Sequence, residues 1–377
     1  MPPAEIFDEI YHARTALEYL GGLPPTEWVH PPFAKLLVAI GIAAFGYNAW
    51  AFRLASAIAG ILLAPTFYAL ARRVLSRERA ALLATVVLLT DGVYLVQSRV
   101  AMTNIFAVLF QTAAALALWS ARDADRPRWR DAVALGLTLG MAAATRWTSA
   151  GTWVLLLLFL AAGRRRRLTQ ARELAWAALA FAVLPACVYV ATYIPWMEQG
   201  HTLMDVLGAQ RAIWRYHAQL SATHPYTSAW YTWPWLVRPA WYFVDRTPHA
   251  VRGIVALGNP LVWWASVPVT VWGLWAGFRR DGRQLLFGAV GFCALYLPWA
   301  VGPRSVNFAH YLFEAIPFAC LGLGALLDRF WDGDQALLAR AYVVLAILLF
   351  VVFYPLWTAV PLPPWMLGGG SLYSVVS

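Results

Sequence analysis

Charge is what this sequence has least of. Of its 377 residues, 13% are Asp, Glu, Lys or Arg and 61% are apolar. An ordinary soluble domain is about a quarter charged, so a water-soluble enzyme and a disordered chain are both excluded. Cysteine is scarce too: Cys187, Cys293 and Cys320 lie inside apolar runs with no CxxC or Cys/His spacing. No metal site and no disulfide framework are expected from them. Lysine occurs once, at Lys35, and the remaining basic residues are arginines, the usage of a GC-rich genome and a pointer to a bacterial source. Walker, HExxH and dinucleotide sequences are missing, which removes an ATP-driven pump and an enzyme that uses a soluble nucleotide-sugar. The formal net charge of +10 would suit nucleic acid only if gathered on one solvated face. The arginines stand instead in short clusters between apolar runs, so no nucleic-acid partner is expected.

What is present is a series of apolar runs. A bilayer core of about 30 Å needs roughly 20 mostly apolar helical residues, and ten stretches qualify: 50–71, 80–97, 100–120, 131–146, 149–163, 173–195, 254–277, 284–302, 306–327 and 338–360. The sequence therefore predicts an all-α polytopic membrane bundle of about ten transmembrane helices. Short cytoplasmic loops are enriched in arginine. One alternate set of connections holds Arg72, Arg73, Arg77, Arg79, Arg122, Arg126, Arg128, Arg130, Arg164 to Arg167, Arg172, Arg279, Arg280, Arg283, Arg329 and Arg340. These connections are expected in the cytoplasm. The opposite side carries all seven histidines, His12, His30, His201, His217, His224, His249 and His310, and the chemistry is expected there.

Four parts follow: an external segment 1–49, six spans over 50–195, an external aromatic-rich loop 196–253, and four spans with an external tail over 254–377. Residues 33–46 are apolar but short and follow Pro31 and Pro32. Proline starts helices well, so this segment reads as a helix in the outer interface. The loop 196–253 holds Trp196, Trp214, Trp230, Trp233, Trp235 and Trp241. It reads either as an aromatic belt at headgroup level or as a platform for sugar or lipid, and composition does not separate the two.

Asp8-Glu9 is an acid pair on an external segment, followed by His30-Pro31-Pro32. Adjacent acids are usually surface charge, but a carboxylate held at the membrane can take a proton from an attacking hydroxyl. Arg99, Arg146 and Arg304 stand at the outer ends of spans, against the inside rule. A lone arginine there snorkels to lipid phosphate, whereas three converging with His224 and His310 would clamp a phosphate. Asp91 and Glu314 fall within or near the membrane, where an ion is costly. A structural ion pair explains them as well as chemistry does.

Taken in order, the motifs resemble the protein O-mannosyltransferases and their bacterial relatives, polyprenol-phosphate-sugar-dependent transferases of the GT-C class. The residues that carry the likeness begin with Phe7-Asp8-Glu9, His30-Pro31-Pro32-Phe33-Ala34-Lys35-Leu36, Phe52-Arg53-Leu54, Gln97-Ser98-Arg99 and Arg146-Trp147. They continue with His224-Pro225-Tyr226-Thr227-Ser228, Trp233-Pro234, Arg238-Pro239, Leu257-Gly258-Asn259-Pro260, Trp263-Trp264, Arg304 and His310-Tyr311-Leu312, nearly the length of the chain. The resemblance implies an inverting transferase that moves a sugar, usually mannose, from a polyprenyl or dolichyl phosphate to Ser or Thr of a translocated protein. It implies Asp8 as the catalytic acid with Glu9 beside it, and Arg99, His224, Asn259 and Arg304, with Arg146 and His310, at the lipid phosphate or sugar. His30, Pro31 and Pro32 form the first-loop motif. The lipid-linked sugar is a substrate and no cofactor or divalent metal is indicated. Membrane lipid and the secretion machinery are the expected company, in a bacterial plasma membrane with the site facing out.

Two departures accompany the likeness. Relatives have a span before the Asp-Glu loop, where only seven residues stand here, so either the start is truncated or the N-terminus crosses unaided. Asn104 stands where relatives more often carry an acid, which weakens a two-carboxylate or metal-assisted scheme and leaves altered specificity or inactivity open. No soluble stretch here is long enough for the extra lumenal sugar-recognition domain of eukaryotic members, so none is expected within these residues. Three other readings remain at this level: the same chemistry on a glycan or lipid acceptor, a transporter of lipid-linked sugars, and a non-catalytic partner subunit. A transporter would carry polar residues through the bundle on paired broken helices, whereas here they gather on one side.

Overall fold

The computed structural model describes residues 1–122, 128–164, 171–277, 279 and 282–367. Arg126, Arg165, Arg166, Arg167, Arg280 and the tail from 368 lie outside the described residues. The chain is a helical bundle. Two short helices, α1 (Glu9–Leu20) and α2 (Phe33–Phe45), precede α3 (Ala51–Leu75), α4 (Glu78–Leu89), α5 (Gly92–Gln97), α6 (Asn104–Arg122), α7 (Trp129–Thr145) and α8 (Ala150–Arg164). There follow α9 (Ala171–Ala178), α10 (Leu184–Ala191), α11 (Ile194–Met197), α12 (Leu203–Gln219), α13 (Pro260–Gly277), α14 (Arg283–Tyr296), α15 (Ile316–Phe330) and α16 (Ala336–Thr358). Among the described residues, Ala51–Leu75, Asn104–Arg122, Ala171–Ala191 and Ala336–Thr358 are long and apolar enough to cross a membrane.

Burial follows what a bilayer demands. In α3, Phe52, Ser56, Ala59, Leu63, Phe67 and Leu70 form one buried stripe at helical spacing, while Ile61 on the far side is 71% exposed. Apolar side chains facing lipid cost nothing, so helix contacts rest on close packing of small residues. In α7, a Cβ on Gly136 or Gly140 would lie 2.7 Å from Leu184 Cβ or 2.6 Å from Val188 Cβ of α10. The α9–α10 span is joined by one π turn, Leu179–Val183. Pro185 has no N–H for the Phe181 carbonyl four residues back, and the Trp153 indole donates to that oxygen at 3.1 Å.

Three expectations are corrected in detail. The run 80–97 is two helices, because Asp91 caps α5 and accepts from the Tyr94 N–H at 2.9 Å. The run 254–277 is helical only from Pro260, and the run 306–327 only from Ile316, after a 3-10 turn over Ala309–Glu314. The external loop also holds an antiparallel hairpin, β1 (Ala240–Arg246) with β2 (Val251–Ala256), with an irregularity between Trp241 and Phe243.

The arginine-rich turns are tied to neighbouring elements at their end of the bundle. Arg77 and Arg79 of the α3–α4 turn reach Asp328 at the end of α15 at 2.8 and 2.5 Å. Arg79 also pairs with Asp332 at 2.6 Å. The Trp176 indole donates to the Arg128 carbonyl at 3.0 Å, joining the starts of α7 and α9. The opposite end of the bundle carries α1, α2, α12 and the hairpin.

Candidate active site

At that opposite end the residue before the acid pair is strained. Phe7 has φ of 50°, which a residue with a bulky side chain adopts only when its surroundings impose it. Its ring is stacked on Tyr242 at 4.3 Å between centroids and meets the edges of Phe308, His310 and His224. The Tyr242 hydroxyl accepts from Gln97 Nε2 at 2.8 Å, so the Gln-Ser-Arg motif holds this aromatic group in place. The strained turn delivers Asp8 as the N-cap of α1.

Asp8 and Glu9 then part company. The Asp8 carboxylate accepts no hydrogen bond among the described residues. Burial first, and then the negative charge of Glu27, push its pKa up to about 6 against the opposing pull of Arg304 and Arg146. Glu9 is fully buried and fully occupied. It accepts from the Ile6 N–H at 2.9 Å, from Arg53 Nε and Nη2 at 2.7 and 2.6 Å, and from the Ala101 N–H at 2.8 Å. Arg53 also donates to the carbonyls of Pro2 and Ala4. Glu9, expected as a second catalytic acid, is thereby a positioning residue, since a carboxylate with both oxygens engaged has nothing left for a substrate.

Arg146 and Arg304 converge. Both guanidiniums lie over the ring of Tyr311, at 5.1 and 5.9 Å from its centroid. Arg146 is 2.8 Å from Glu314, the pairing across the bundle that the sequence left open. It also donates to Thr103 Oγ1 at 3.0 Å. Arg304 donates from Nη1 to His217 Nδ1 at 3.3 Å, and its buried Nε has no partner among the described residues. Arg99 feels the charges of Tyr354 and Arg53 and does not share the Tyr311 ring with this pair. Of the three arginines expected at the outer ends of spans, Arg146 and Arg304 are brought onto one ring.

His310 is 1% exposed and both ring nitrogens lack a partner among the described residues. It is packed on Phe308 and against Tyr242 and Tyr311. A buried imidazole left unpaired is costly and marks a place where a ligand's polar atom would be welcome. His224 lies at the rim, 4.9 Å from the Phe308 ring, with Nδ1 accepting from the Tyr226 N–H. Asn104 puts Oδ1 3.5 Å from Arg146, while its buried Nδ2 is unpaired among the described residues. An acid at this position would add a second carboxylate beside Arg146, which Glu314 already neutralises.

Asn259 is elsewhere and fully used. Its side chain donates to the carbonyls of Thr90 and Ala346 at 3.1 and 2.9 Å, and its N–H reaches Asp91 at 3.2 Å. Asp91 also accepts from the Trp263 indole at 2.6 Å. Asn259 is thus corrected from a donor ligand to a pin between α4, α13 and α16, and Asp91 is structural.

Beneath Asp8 lies a second buried group. Pro32 caps α2, and Lys35 one turn later reaches back to Glu27. It also donates to the carbonyls of Glu27 and His30 at 2.7 and 2.9 Å. His30 Nδ1 is 2.6 Å from Glu27. Burial alone would raise the Glu27 pKa, but Lys35 and His30 hold it well below the ordinary value. Glu27 therefore stays ionised and supplies the charge that disfavours ionisation of Asp8. Among the described residues no group of three or more His, Cys, Asp or Glu side chains is arranged to hold a metal.

The sequence placed Glu27 behind the acid pair and His217 on the side of the chemistry without giving either a role, and it did not single out Tyr242. Tyr311 and Lys35 stood inside quoted motifs, whereas Tyr242 was one aromatic residue among many and carried no signal of its own.

Comparison with known proteins bears on this geometry. The family model of dolichyl-phosphate-mannose-protein mannosyltransferases matches residues 44–198, and that of the C-terminal four-span region of protein O-mannosyltransferase matches residues 202–365. The polyprenol-phosphate-mannose–protein mannosyltransferase of Mycobacterium tuberculosis is 30% identical over 439 residues, covering 95% of this chain and 84% of that protein. That of Mycolicibacterium smegmatis is 29% identical over 443 residues, with the same coverage. Among solved structures, the Saccharomyces cerevisiae protein O-mannosyltransferase Pmt1-Pmt2 complex bound to the sugar donor superposes with a TM-score of 0.82 at 13% identity, covering 94% of this chain and 87% of that one.

Proposed function

The chain belongs to the dolichyl-phosphate-mannose-protein mannosyltransferase family, and from that premise we propose that it transfers mannose from a polyprenyl phosphate to Ser or Thr hydroxyls of proteins, with inversion at the sugar. The enzyme is an integral membrane glycosyltransferase. In this reading the site faces out of a bacterial plasma membrane and meets its acceptors as the secretion machinery delivers them.

The observation that carries the mechanism is the pairing of an unbonded, half-buried carboxylate, Asp8, whose charge is felt by two arginines that share one tyrosine ring, Arg146 and Arg304. Asp8 takes the proton of the acceptor hydroxyl as its oxygen attacks the anomeric carbon. The bond from that carbon to the phosphate oxygen breaks, and the electron pair stays on the polyprenyl phosphate. Charge grows there, and cations already in place stabilise it without reorganising. Arg304 presents its unpaired Nε to this phosphate, while His310 is available to a sugar hydroxyl. The sugar–phosphate bond is already activated, so a second acid to protonate the leaving group, as in a glycosidase, is unnecessary.

The test supplies membranes carrying the chain with polyprenyl phosphate bearing radiolabelled mannose and a Ser/Thr-containing peptide. Label should pass to the peptide, be released by alkaline elimination, and carry the anomeric configuration opposite to the donor. Label on a glycan or lipid, or a retained configuration, would contradict the reading.

A further inference from the structure

We propose that His217 is a positioning residue that holds Arg304 ready for the donor phosphate and anchors it to the loop carrying Glu27 and His30. The proposal rests on the reading of Arg304 as a phosphate ligand.

Helix α12 lies on the outside of the bundle. Its first turn is fixed by a capping box between Thr202 and Asp205, and only Val206 and Ile213 are fully buried. Its polar link to the site is His217 in the last turn. His217 Nε2 is 2.9 Å from the Val29 carbonyl oxygen. A carbonyl only accepts, so Nε2 carries the proton, and in a neutral ring Nδ1 is then a lone pair. A guanidinium only donates, and Arg304 Nη1 stands 3.3 Å from that lone pair. The two partners demand the same tautomer.

The charged groups around His217 act together. His30 meets it edge to face at 5.5 Å from the first loop, with Glu27 behind His30. Arg304 faces it from the 303–308 segment, and Arg146 acts from the end of α7. Burial, with these cations, brings its pKa down to about 4, so the ring stays neutral near neutral pH and keeps its lone pair for Arg304. The backbone around Arg304 is held as well: Asn307 Nδ2 donates to its carbonyl at 2.8 Å and Ser305 Oγ donates to the Leu220 carbonyl. One terminal nitrogen of Arg304 is thus fixed while Nε remains free. Ordering a long cationic side chain before the ligand arrives removes that cost from binding.

The test is steady-state transfer by the full-length protein with the lipid donor as the varied substrate, for the wild type, H217F, H217Q, R304K and the H217F/R304K pair. Glutamine offers one N–H and one oxygen in place of the two ring nitrogens, whereas phenylalanine offers neither. Loss of one hydrogen bond to a charged group should raise the donor KM of H217F by about tenfold, with kcat and acceptor KM little changed. H217Q should restore most of the loss, and the pair should be no worse than R304K alone. An impaired R304K beside a normal H217F, an H217Q as poor as H217F, or additive losses in the pair would each overturn the positioning role. A normal donor KM in R304K would instead overturn the reading of Arg304 and this proposal with it. To separate a folding defect of H217F from this role, the histidine ¹⁵N spectrum of the wild type serves as a second measurement. It should show His217 protonated on Nε2 alone at neutral pH, and a cationic ring or a proton on Nδ1 would overturn the proposal.

Discussion

At the scale of single residues, Asp8 acquires its role from burial. A general base must be ionised to work, and burial with Glu27 nearby places its pKa at about 6. The transfer rate should therefore fall roughly tenfold per pH unit below that value, checked by kcat/KM across pH 4.5 to 8. A flat profile through pH 5 would contradict the assignment. The same shift governs stability. The folded pKa lies above the ordinary 3.8, so the contribution of Asp8 is fully present below 3.8 and is lost as pH rises through about 6. Asp8→Asn, which never ionises, should melt higher than the wild type above pH 6, with the difference gone near pH 4. Glu9→Gln should do the reverse. It leaves the buried Arg53 without its carboxylate, a loss of about 3–5 kcal/mol for a broken buried pair. Thermal melting of the two variants at pH 7.5 checks both signs. The sequence names both carboxylates as neighbours in one motif, but only the turn at Phe7, which sends Asp8 into the site and Glu9 into the bundle, separates the base from the anchor.

At the scale of elements, the first loop and α2 form one unit pinned by Lys35. Its ammonium is wholly buried against Glu27 and two carbonyls. Lys35→Met should destabilise the protein by about 3–5 kcal/mol, because it leaves the Glu27 charge buried with His30 as its remaining close partner. A melting temperature within a degree of wild type would show that Glu27 is neutral instead. Helix positions were legible from hydropathy because lipid-facing runs are long and uniform, as in α3 and α16. The breaks were not. Asp91 caps α5 through a side-chain bond that leaves the hydropathy of 80–97 unchanged, and Pro260 starts α13 just after a strand whose last residues, Ile254, Val255 and Ala256, are as apolar as a helix. Helix α12 escaped because only Val206 and Ile213 on it are fully buried, too weak a period to stand out among the tryptophans of 196–253.

At the scale of the whole molecule, the arginine-rich turns and the candidate site occupy opposite ends. Tags inserted after residue 76 should therefore report the cytoplasm and tags after residue 220 the outside, read by reporter activity in cells; the same side for both would contradict the orientation. This polarity was legible because it is a bias along the chain that needs no contact to be seen. The order of motifs likewise carried the family. The convergence of Arg146 with Arg304 was one of two readings open for the outer arginines, whereas their shared Tyr311 ring and the diversion of Asn259 to Asp91 were not legible, because each depends on which side of a turn a side chain leaves. The account as a whole stands on Asp8 as the base and on donor binding that does not need it. The most direct measurement is mannose transfer from polyprenyl-phosphate-mannose by the wild type and by Asp8→Asn, with donor binding followed in the same preparations. The account predicts a loss of transfer of about 10² to 10⁴-fold with donor affinity retained; near-normal transfer by a folded Asp8→Asn protein would contradict it.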